Sequence, residues 1–152
     1  MIRIQQQDFD VGAELERLSR DNASVGGVCA FVGLVRDMAG GAPVTSMTLE
    51  HYPAMTERQL HDIDTEARER WPLIDTVIIH RFGRLHSGDR IVLVAAASAH
   101  RDAAFGACRF LIDWLKTRAP FWKREEGPDG ARWVDALAAD DAAAARWRAG
   151  LD

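Results

Sequence analysis

The sequence predicts an α+β fold, in which single helices alternate with strands or strand pairs around a mixed or mostly antiparallel sheet. Two long segments, residues 56–70 and 102–115, carry apolar residues at helical spacing. Short stretches rich in apolar and β-branched residues flank them and predict strands at residues 26–35, 44–51, 76–82 and 90–97. No repeat, low-complexity tract or linker is visible, so we expect residues 1–152 to form a single domain.

The first third of the chain is predicted to contain three strands and one helix. Residues 1–5 alternate in polarity and predict a short edge strand, and residues 11–20 predict a helix behind an aspartate that can cap it. Residues 26–35 are dense in Val, Phe and Ala, which predicts a buried strand. The Gly-Gly and Pro of residues 37–43 predict a flexible loop before the strand at 44–51.

The clearest helix of the chain is the one predicted at residues 56–70. Leu60, Ile63 and Ala67 form its apolar stripe, and Trp71-Pro72 ends it. The predicted elements that follow are strands at 76–82 and 90–97 joined by a loop at 83–89, a helix at 102–115, a short strand at 132–137, and an alanine-rich helix at 138–148 anchored by Trp147.

The composition points to a protein of a reducing compartment. Cys29 and Cys108 form no CxxC pair and fall on apolar faces, so we expect core residues rather than nucleophiles. No signal peptide and no apolar stretch of about 20 residues is visible, so the simplest interpretation is a soluble cytoplasmic protein. A net charge of −4 argues against non-specific nucleic-acid binding. The five histidines lack metal-ligand spacing, and we expect no metal.

A cluster of basic residues stands out against this acidic background. Lys116, Arg118, Lys123 and Arg124 lie within nine residues, which suggests a bound anion. Pro120 disfavours helical geometry in the residue before it, so the helix is expected to end near Arg118. The two lysines then belong to different elements, and we expect them to converge on one small pocket.

Other candidate residues have both a functional and a structural interpretation. Lys116 can simply favour the helix dipole, and Arg36, before a Gly-Gly loop, can be a site residue or a solvated arginine. His100 and Arg101 precede a helix, where they can form a phosphate cradle or remain an exposed cap. The pair Phe121-Trp122 is better explained as core anchors than as a platform for a ligand ring.

Four segments carry uncommon motifs, namely FVGLVR at 31–36, LEHYPAMTE at 49–57, SAHR at 98–101 and KTRAPFWKRE at 116–125. Together they resemble signatures of the MoaE family, the large, catalytic subunits of molybdopterin synthase. The last motif is long and unusual in composition, which makes it highly specific. The resemblance runs from about residue 8 to Trp147.

The resemblance implies a fold, a reaction and partners. Such proteins have an α/β hammerhead-type fold with an added antiparallel subdomain. They transfer sulfur from the C-terminal thiocarboxylate of a small ubiquitin-like MoaD-type subunit to cyclic pyranopterin monophosphate (precursor Z), which forms the dithiolene of molybdopterin. The large subunits form a homodimer within a heterotetramer that has one small subunit at each end. We expect no cofactor.

The resemblance also implies which residues form the site. Lys116 would be the principal catalytic residue and Lys123 would assist it, and the homodimer allows some site residues to come from the second copy. The implied substrate-binding residues are Leu34, Val35, Arg36, His100, Arg101, Lys116, Lys123, Arg124 and Glu125. Two positions depart from the family pattern, since Leu34 stands where a lysine is common and Ala54 where a glycine is common.

Two other functions stay open on sequence alone. In a non-catalytic binding module, the same cations would hold an RNA or a phosphorylated partner, which predicts salt-sensitive binding. The second is an enzyme of related fold that acts alone on a phosphorylated small molecule. A requirement for a thiocarboxylated protein partner would exclude that enzyme.

Overall fold

The computed structural model describes residues 1–134, 138–148 and 150. Its helices are α1 (Val11–Ser19), α2 (Pro53–Arg70), α3 (Arg101–Arg118) and α4 (Ala138–Arg148). Its strands are β1 (Ile2–Gln5), β2 (Gly27–Leu34), β3 (Met38–Ala39), β4 (Ala42–Pro43), β5 (Ser46–His51), β6 (Leu73–Arg81), β7 (Gly83–His86), β8 (Arg90–Ser98), β9 (Phe121–Gly127) and β10 (Gly130–Val134). The succession of single helices and strand groups confirms the α+β class.

The first sheet has the strand order β1-β6-β8-β2. β1 runs parallel to β6, whereas β6, β8 and β2 are antiparallel neighbours, so the mixed sheet and the edge position of the first strand are confirmed. The prediction that residues 26–35 form a buried strand is wrong in one respect. β2 forms the opposite edge of the sheet, and its Phe31 and Leu34 are 39% and 53% exposed. An apolar run identifies a strand but not whether another strand covers its outer side.

The second sheet, with the order β10-β9-β5-β7, is antiparallel throughout. The sequence does not predict β7, which lies in the segment 83–89 interpreted as a loop, or β9, which is highly charged. Both strands pair with β5, which lies between them. The β3–β4 hairpin occupies the predicted loop at 37–43. β10 corresponds to the strand predicted at 132–137, of which residues 135–137 lie outside the described residues.

The helix ends follow the capping rules that predicted them. Asp10 caps α1, since its Oδ1 accepts a hydrogen bond from the Ala13 N–H at 3.0 Å. α2 begins three residues earlier than predicted, because Pro53 suits the first helical turn, and it ends before Trp71 as predicted. α3 ends at Arg118, because the next residue, Ala119, has an extended backbone (φ −75°, ψ 127°) ahead of a proline. None of the helices in the described residues is long and apolar enough to cross a membrane.

Helices cover both faces of the first sheet. Alternation along β6 directs Val77 and Ile79 towards α1, and directs Ile78 towards α2 and α3. Cys108 lies on the inner face of α3, where it is buried, which confirms that it is a core residue. Burial raises the pKa of the Cys108 thiol far above its usual value, so the thiol is a poor nucleophile.

Trp147 holds α4 against α3, as the sequence predicts. Its Nε1–H donates to Oδ2 of Asp113 at 2.9 Å. Its ring packs edge-on against Phe110 and Trp71, with centroids 5.4 and 5.8 Å apart. Because Trp147 contacts the middle of α3, the beginning of α4 lies beside the last turn of α3, which carries Lys116.

Candidate active site

A cavity of about 670 Å³ opens beside the C-terminal end of α3, where the two sheets meet. Residues from β2, β5, β9 and the beginning of α4 line it together with the last turns of α3. Apolar side chains supply much of this lining, including Val44, Met47, Leu49, Ile112 and Leu115. Charges in a partly apolar cavity are screened less than charges on an open surface, so its few charged residues strongly influence what binds there.

Lys116 and Lys123 both line this cavity. They are the only lysines of the chain, whose nineteen basic residues otherwise comprise seventeen arginines. Lys116 lies in the last turn of α3, and Lys123 is the third residue of β9, after the turn that separates the two elements. A lysine ammonium is compact and can exchange a proton, whereas a guanidinium stays charged. The chain therefore confines its lysines to one place.

In the part of the chain that the structure describes, each lysine has one carboxylate within 4 Å. Lys116 Nζ lies 3.7 Å from Oδ1 of Asp140, and Lys123 Nζ lies 3.7 Å from Oε1 of Glu125, whose other oxygen accepts a hydrogen bond from Arg132 at 3.3 Å. Both lysine distances are longer than a hydrogen bond. The ammonium groups are thus partly neutralised but keep donors for a bound anion. Sequence reasoning missed Asp140, for which the only signal is an acid in the first turn of a helix.

The end of β2 contributes the rim of the cavity. Three of the expected substrate-binding residues, Leu34, Val35 and Arg36, line it. Val35 is buried, its N–H donates to the Asp89 oxygen at 2.9 Å, and its own oxygen accepts from the Gly88 N–H at 2.8 Å. Leu34 and Arg36 are exposed. At Leu34 only the backbone is available for polar contacts.

An aromatic cluster of His51, His80, Phe82 and Phe121 joins the two sheets, and two of its members, His80 and Phe121, line the cavity. His80 of β6 stacks on Phe121 of β9, with ring centroids 3.7 Å apart and planes 16° apart. His51 packs against Phe82 and Phe121. Burial lowers the pKa of His80 to about 4, so its ring is neutral near pH 7. Sequence reasoning missed His80, although a polar residue in the apolar run VIIH was a usable signal.

Residues 4–118, most of the chain, match the family model described as MoaE protein. This chain belongs to the MoaE family. The same assignment follows from relatives of this MoaE chain that are named molybdopterin synthase catalytic subunit. The relative from Pseudomonas aeruginosa is 55% identical over 146 residues, which cover 96% of this chain and 97% of the relative. The relative from Escherichia coli is 52% identical over 141 residues and 93% of each chain.

Solved MoaE structures share the fold. The MoaE protein from Burkholderia ambifaria matches with a TM-score of 0.83 and 53% identity over 97% of each chain. Molybdopterin synthase from Staphylococcus aureus matches with a TM-score of 0.80 and 32% identity, over 87% of this chain and 95% of that one. The fold expected from the MoaE resemblance is thereby confirmed.

One copy of this MoaE chain does not bring all the expected site residues together. His100 and Arg101 stand at the N-terminal end of α3, about 22 Å along the helix axis from Lys116. Both are exposed, and among the described residues the Arg101 side chain, at 86% exposure, has an acidic group within 4 Å only in Asp102, which is 95% exposed. Neither residue lines the cavity of its own chain. Their predicted role stays a prediction that requires a second copy of the chain.

Arg124 also lies away from the cavity, contrary to the expectation that it lines the same pocket. Alternate side chains of a strand point to opposite faces, so Lys123 and Glu125 face the cavity while Arg124 faces away. Its guanidinium donates to Glu126 at 3.3 Å and lies 5.9 Å from the ring centroid of Trp133. The charges of this motif are visible in the sequence. The strand in which Lys123 and Arg124 face opposite sides was not predicted.

Proposed function

We propose that this chain is the catalytic subunit of a molybdopterin synthase. It transfers sulfur from the C-terminal thiocarboxylate of a small MoaD-type partner to cyclic pyranopterin monophosphate, and the product carries the dithiolene of molybdopterin. The observation that carries the proposal is the placement of Lys116 and Lys123, the only lysines of the chain, in one cavity. The MoaE relatives that bear this name, at about 50% identity over nearly the whole chain, support it.

The charges of the cavity suit both reactants. The cyclic phosphate of the pterin and the thiocarboxylate of the partner are anions, and the two ammonium groups keep hydrogen-bond donors for them. Once the thiocarboxylate sulfur is bonded to a pterin carbon, water attacks the acyl carbon of this thioester and negative charge develops on the carbonyl oxygen. The acyl carbon–sulfur bond then breaks, so the sulfur stays on the pterin and the partner leaves as a carboxylate. Lys116 is placed to stabilise that oxyanion or to move a proton, and Lys123 to neutralise charge on the substrate.

The proposal assigns the sulfur to the partner rather than to this chain. Cys29 and Cys108 are free thiols, but neither lines the cavity, and Cys108 is buried against the first sheet. A carrier protein that delivers sulfur at its own C-terminus removes the need for a cysteine at the site. Free cysteines also suit the cytoplasm, where we place the reaction.

The proposal includes a homodimer of this chain within a heterotetramer. His100 and Arg101 are exposed and far from the cavity of their own chain, so a second copy would have to supply them to hold the phosphate and pterin. Exposed apolar residues on the edge strand β2, Phe31 and Leu34, and on α3, Phe105, support an interface on this side. Mixed dimers of Lys116→Ala and Arg101→Ala chains would test this arrangement, because only complementation between copies restores activity.

The first test is a reconstituted reaction of this chain, a thiocarboxylated MoaD-type partner and cyclic pyranopterin monophosphate. The wild type should form the dithiolene product, and Lys116→Ala should be slower by about 10²- to 10³-fold, the usual cost of losing one donor to a developing oxyanion. A wild-type rate in Lys116→Ala would refute the role of the lysine. No product from the wild type, given a verified partner and substrate, would refute the function.

Two further variants make this test specific. Arg118→Ala removes a cation of the same helical turn that pairs with Glu66 at 2.9 Å and does not line the cavity, so it should retain activity. Lys116→Arg keeps the charge but loses the compact, proton-exchanging amine, so residual activity would indicate charge stabilisation and complete loss would indicate proton transfer. Thermal unfolding should show that all three proteins are folded, because exposed ion pairs contribute about 1 kcal/mol at most.

A further inference from the structure

His80 is a buried nitrogen-containing ring in the wall of the cavity, and the chemistry described above gives it no role. Alternation along β6 sets His80 on the same side of the sheet as Ile78, which packs towards α3, and opposite to Val77 and Ile79. The ring lines the cavity although it is only 5% exposed. Burying a polar group costs free energy unless it is hydrogen-bonded, so the partners of its two nitrogens matter.

One of these nitrogens has a protein partner. Nδ1 of His80 lies 2.8 Å from the backbone oxygen of Arg81. A carbonyl oxygen only accepts hydrogen bonds, so the single proton of the neutral ring is on Nδ1, and Nε2 carries a lone pair. Among the described residues, Nε2 makes no hydrogen bond. It is an acceptor that the protein leaves free.

The direction of this acceptor is fixed. The stack on Phe121 holds the plane of the His80 ring, and the hydrogen bond to Arg81 holds its rotation within that plane. Turning the ring over would break the hydrogen bond. A rigid ring loses little freedom when a ligand binds, which makes it suitable for orienting a small heterocycle.

Among the described residues that line the cavity, the other side-chain oxygen and nitrogen acceptors are carboxylates. The basic residues that line it can only donate hydrogen bonds. Its two carboxylates, Glu125 and Asp140, each lie 3.7 Å from a lysine Nζ. His80 Nε2 differs from both because it is neutral near pH 7, so it does not attract the lysines away from an anionic substrate.

We propose that Nε2 of His80 accepts a hydrogen bond from a ring or amino N–H of the pterin, which makes His80 a substrate-binding residue of the sulfur transfer. This inference rests on the proposed function for the identity of the heterocycle. The lysines then bind the anionic groups of the reactants, and the histidine binds the neutral ring that carries N–H donors. The two kinds of contact orient the substrate along the cavity.

The decisive variant is His80→Phe, which keeps a flat ring against Phe121 but has no nitrogen. In the reconstituted reaction it should raise the KM for the pterin about tenfold, which corresponds to about 1.4 kcal/mol, with kcat changed less than twofold. The matched control is His51→Phe. His51 belongs to the same aromatic cluster but lines a smaller, separate cavity, so this variant should leave the KM for the pterin unchanged. An unchanged KM in folded His80→Phe, or an equal rise in both variants, would overturn the proposal.

A measurement on the wild-type protein decides the question independently of folding and of turnover. The protein is labelled with ¹⁵N-histidine, and the pyridine-type Nε2 signal of His80 is assigned by its loss in His80→Phe or by through-bond correlation to Arg81. This signal should move upfield when cyclic pyranopterin monophosphate binds. A signal that stays in place at saturating substrate would overturn the proposal even if the wild type is active. If the wild type binds the pterin with this shift but forms no product, the proposed function fails and the binding role stands.

Discussion

His80 should make the stability of this protein sensitive to mild acid, and the size of the effect follows from its burial. The folded-state pKa of about 4 lies below the ordinary value of 6.5, so between these values the unfolded chain binds a proton that the folded chain does not. The free energy of unfolding therefore falls as the pH drops from about 6.5 to 4. Between pH 7 and pH 5, this single group should remove about 2 kcal/mol.

The comparison of wild type with His80→Phe isolates this contribution. Urea unfolding followed by tryptophan fluorescence gives the free energy at pH 7 and pH 5 for each protein, at one fixed protein concentration because an oligomer is expected. Burial also lowers the pKa of His51, but that group is present in both proteins and cancels in the comparison. The wild type should lose about 2 kcal/mol more than the variant. Equal losses would show that His80 is not buried as a neutral ring, which would refute the reasoning.

Two other substitutions test the packing and the charges of the site. Gly106→Ala would place a Cβ 2.9–3.1 Å from indole atoms of Trp71, whose ring also packs against Phe110 and Trp147. The overpacking should exceed the roughly 1 kcal/mol gained in helix propensity, so urea unfolding should show a net loss of about 1 kcal/mol, and a gain would contradict this packing. Asp140→Asn removes the carboxylate that competes with substrate for the Lys116 ammonium. The KM for the pterin should therefore fall by up to about fivefold, whereas a rise would show that Asp140 binds substrate.

The sequence predicts most of the first sheet and its helices because these elements bury a regular apolar pattern. The stripe of α2 and the apolar runs of β6 and β8 are both visible and buried. The second sheet was harder to predict. β9 reads FWKREEG, a charged segment, and its hydrogen bonds to β5 form between segments far apart in sequence, which local composition cannot reveal.

The same limit explains which parts of the site were predicted. Lys116 and Lys123 could be identified because they belong to a cluster of basic residues close together in sequence, within an unusual motif. Asp140 and His80 were missed because each becomes part of the cavity only through tertiary packing, of α4 on α3 and of one sheet on the other. Arg124 was expected in the pocket because β9 was not predicted as a strand, so the alternation of its side chains between two faces was not taken into account.

The stack of His80 on Phe121 also links the supports of the two lysines. Lys116 is carried by a helix packed on the first sheet and Lys123 by a strand of the second, and only a short turn joins these two elements. His80 belongs to the first sheet and Phe121 to the second, so their rings form a second contact between the two supports. A substitution at this contact is therefore expected to alter the distance between the ammonium groups while both lysines stay unchanged.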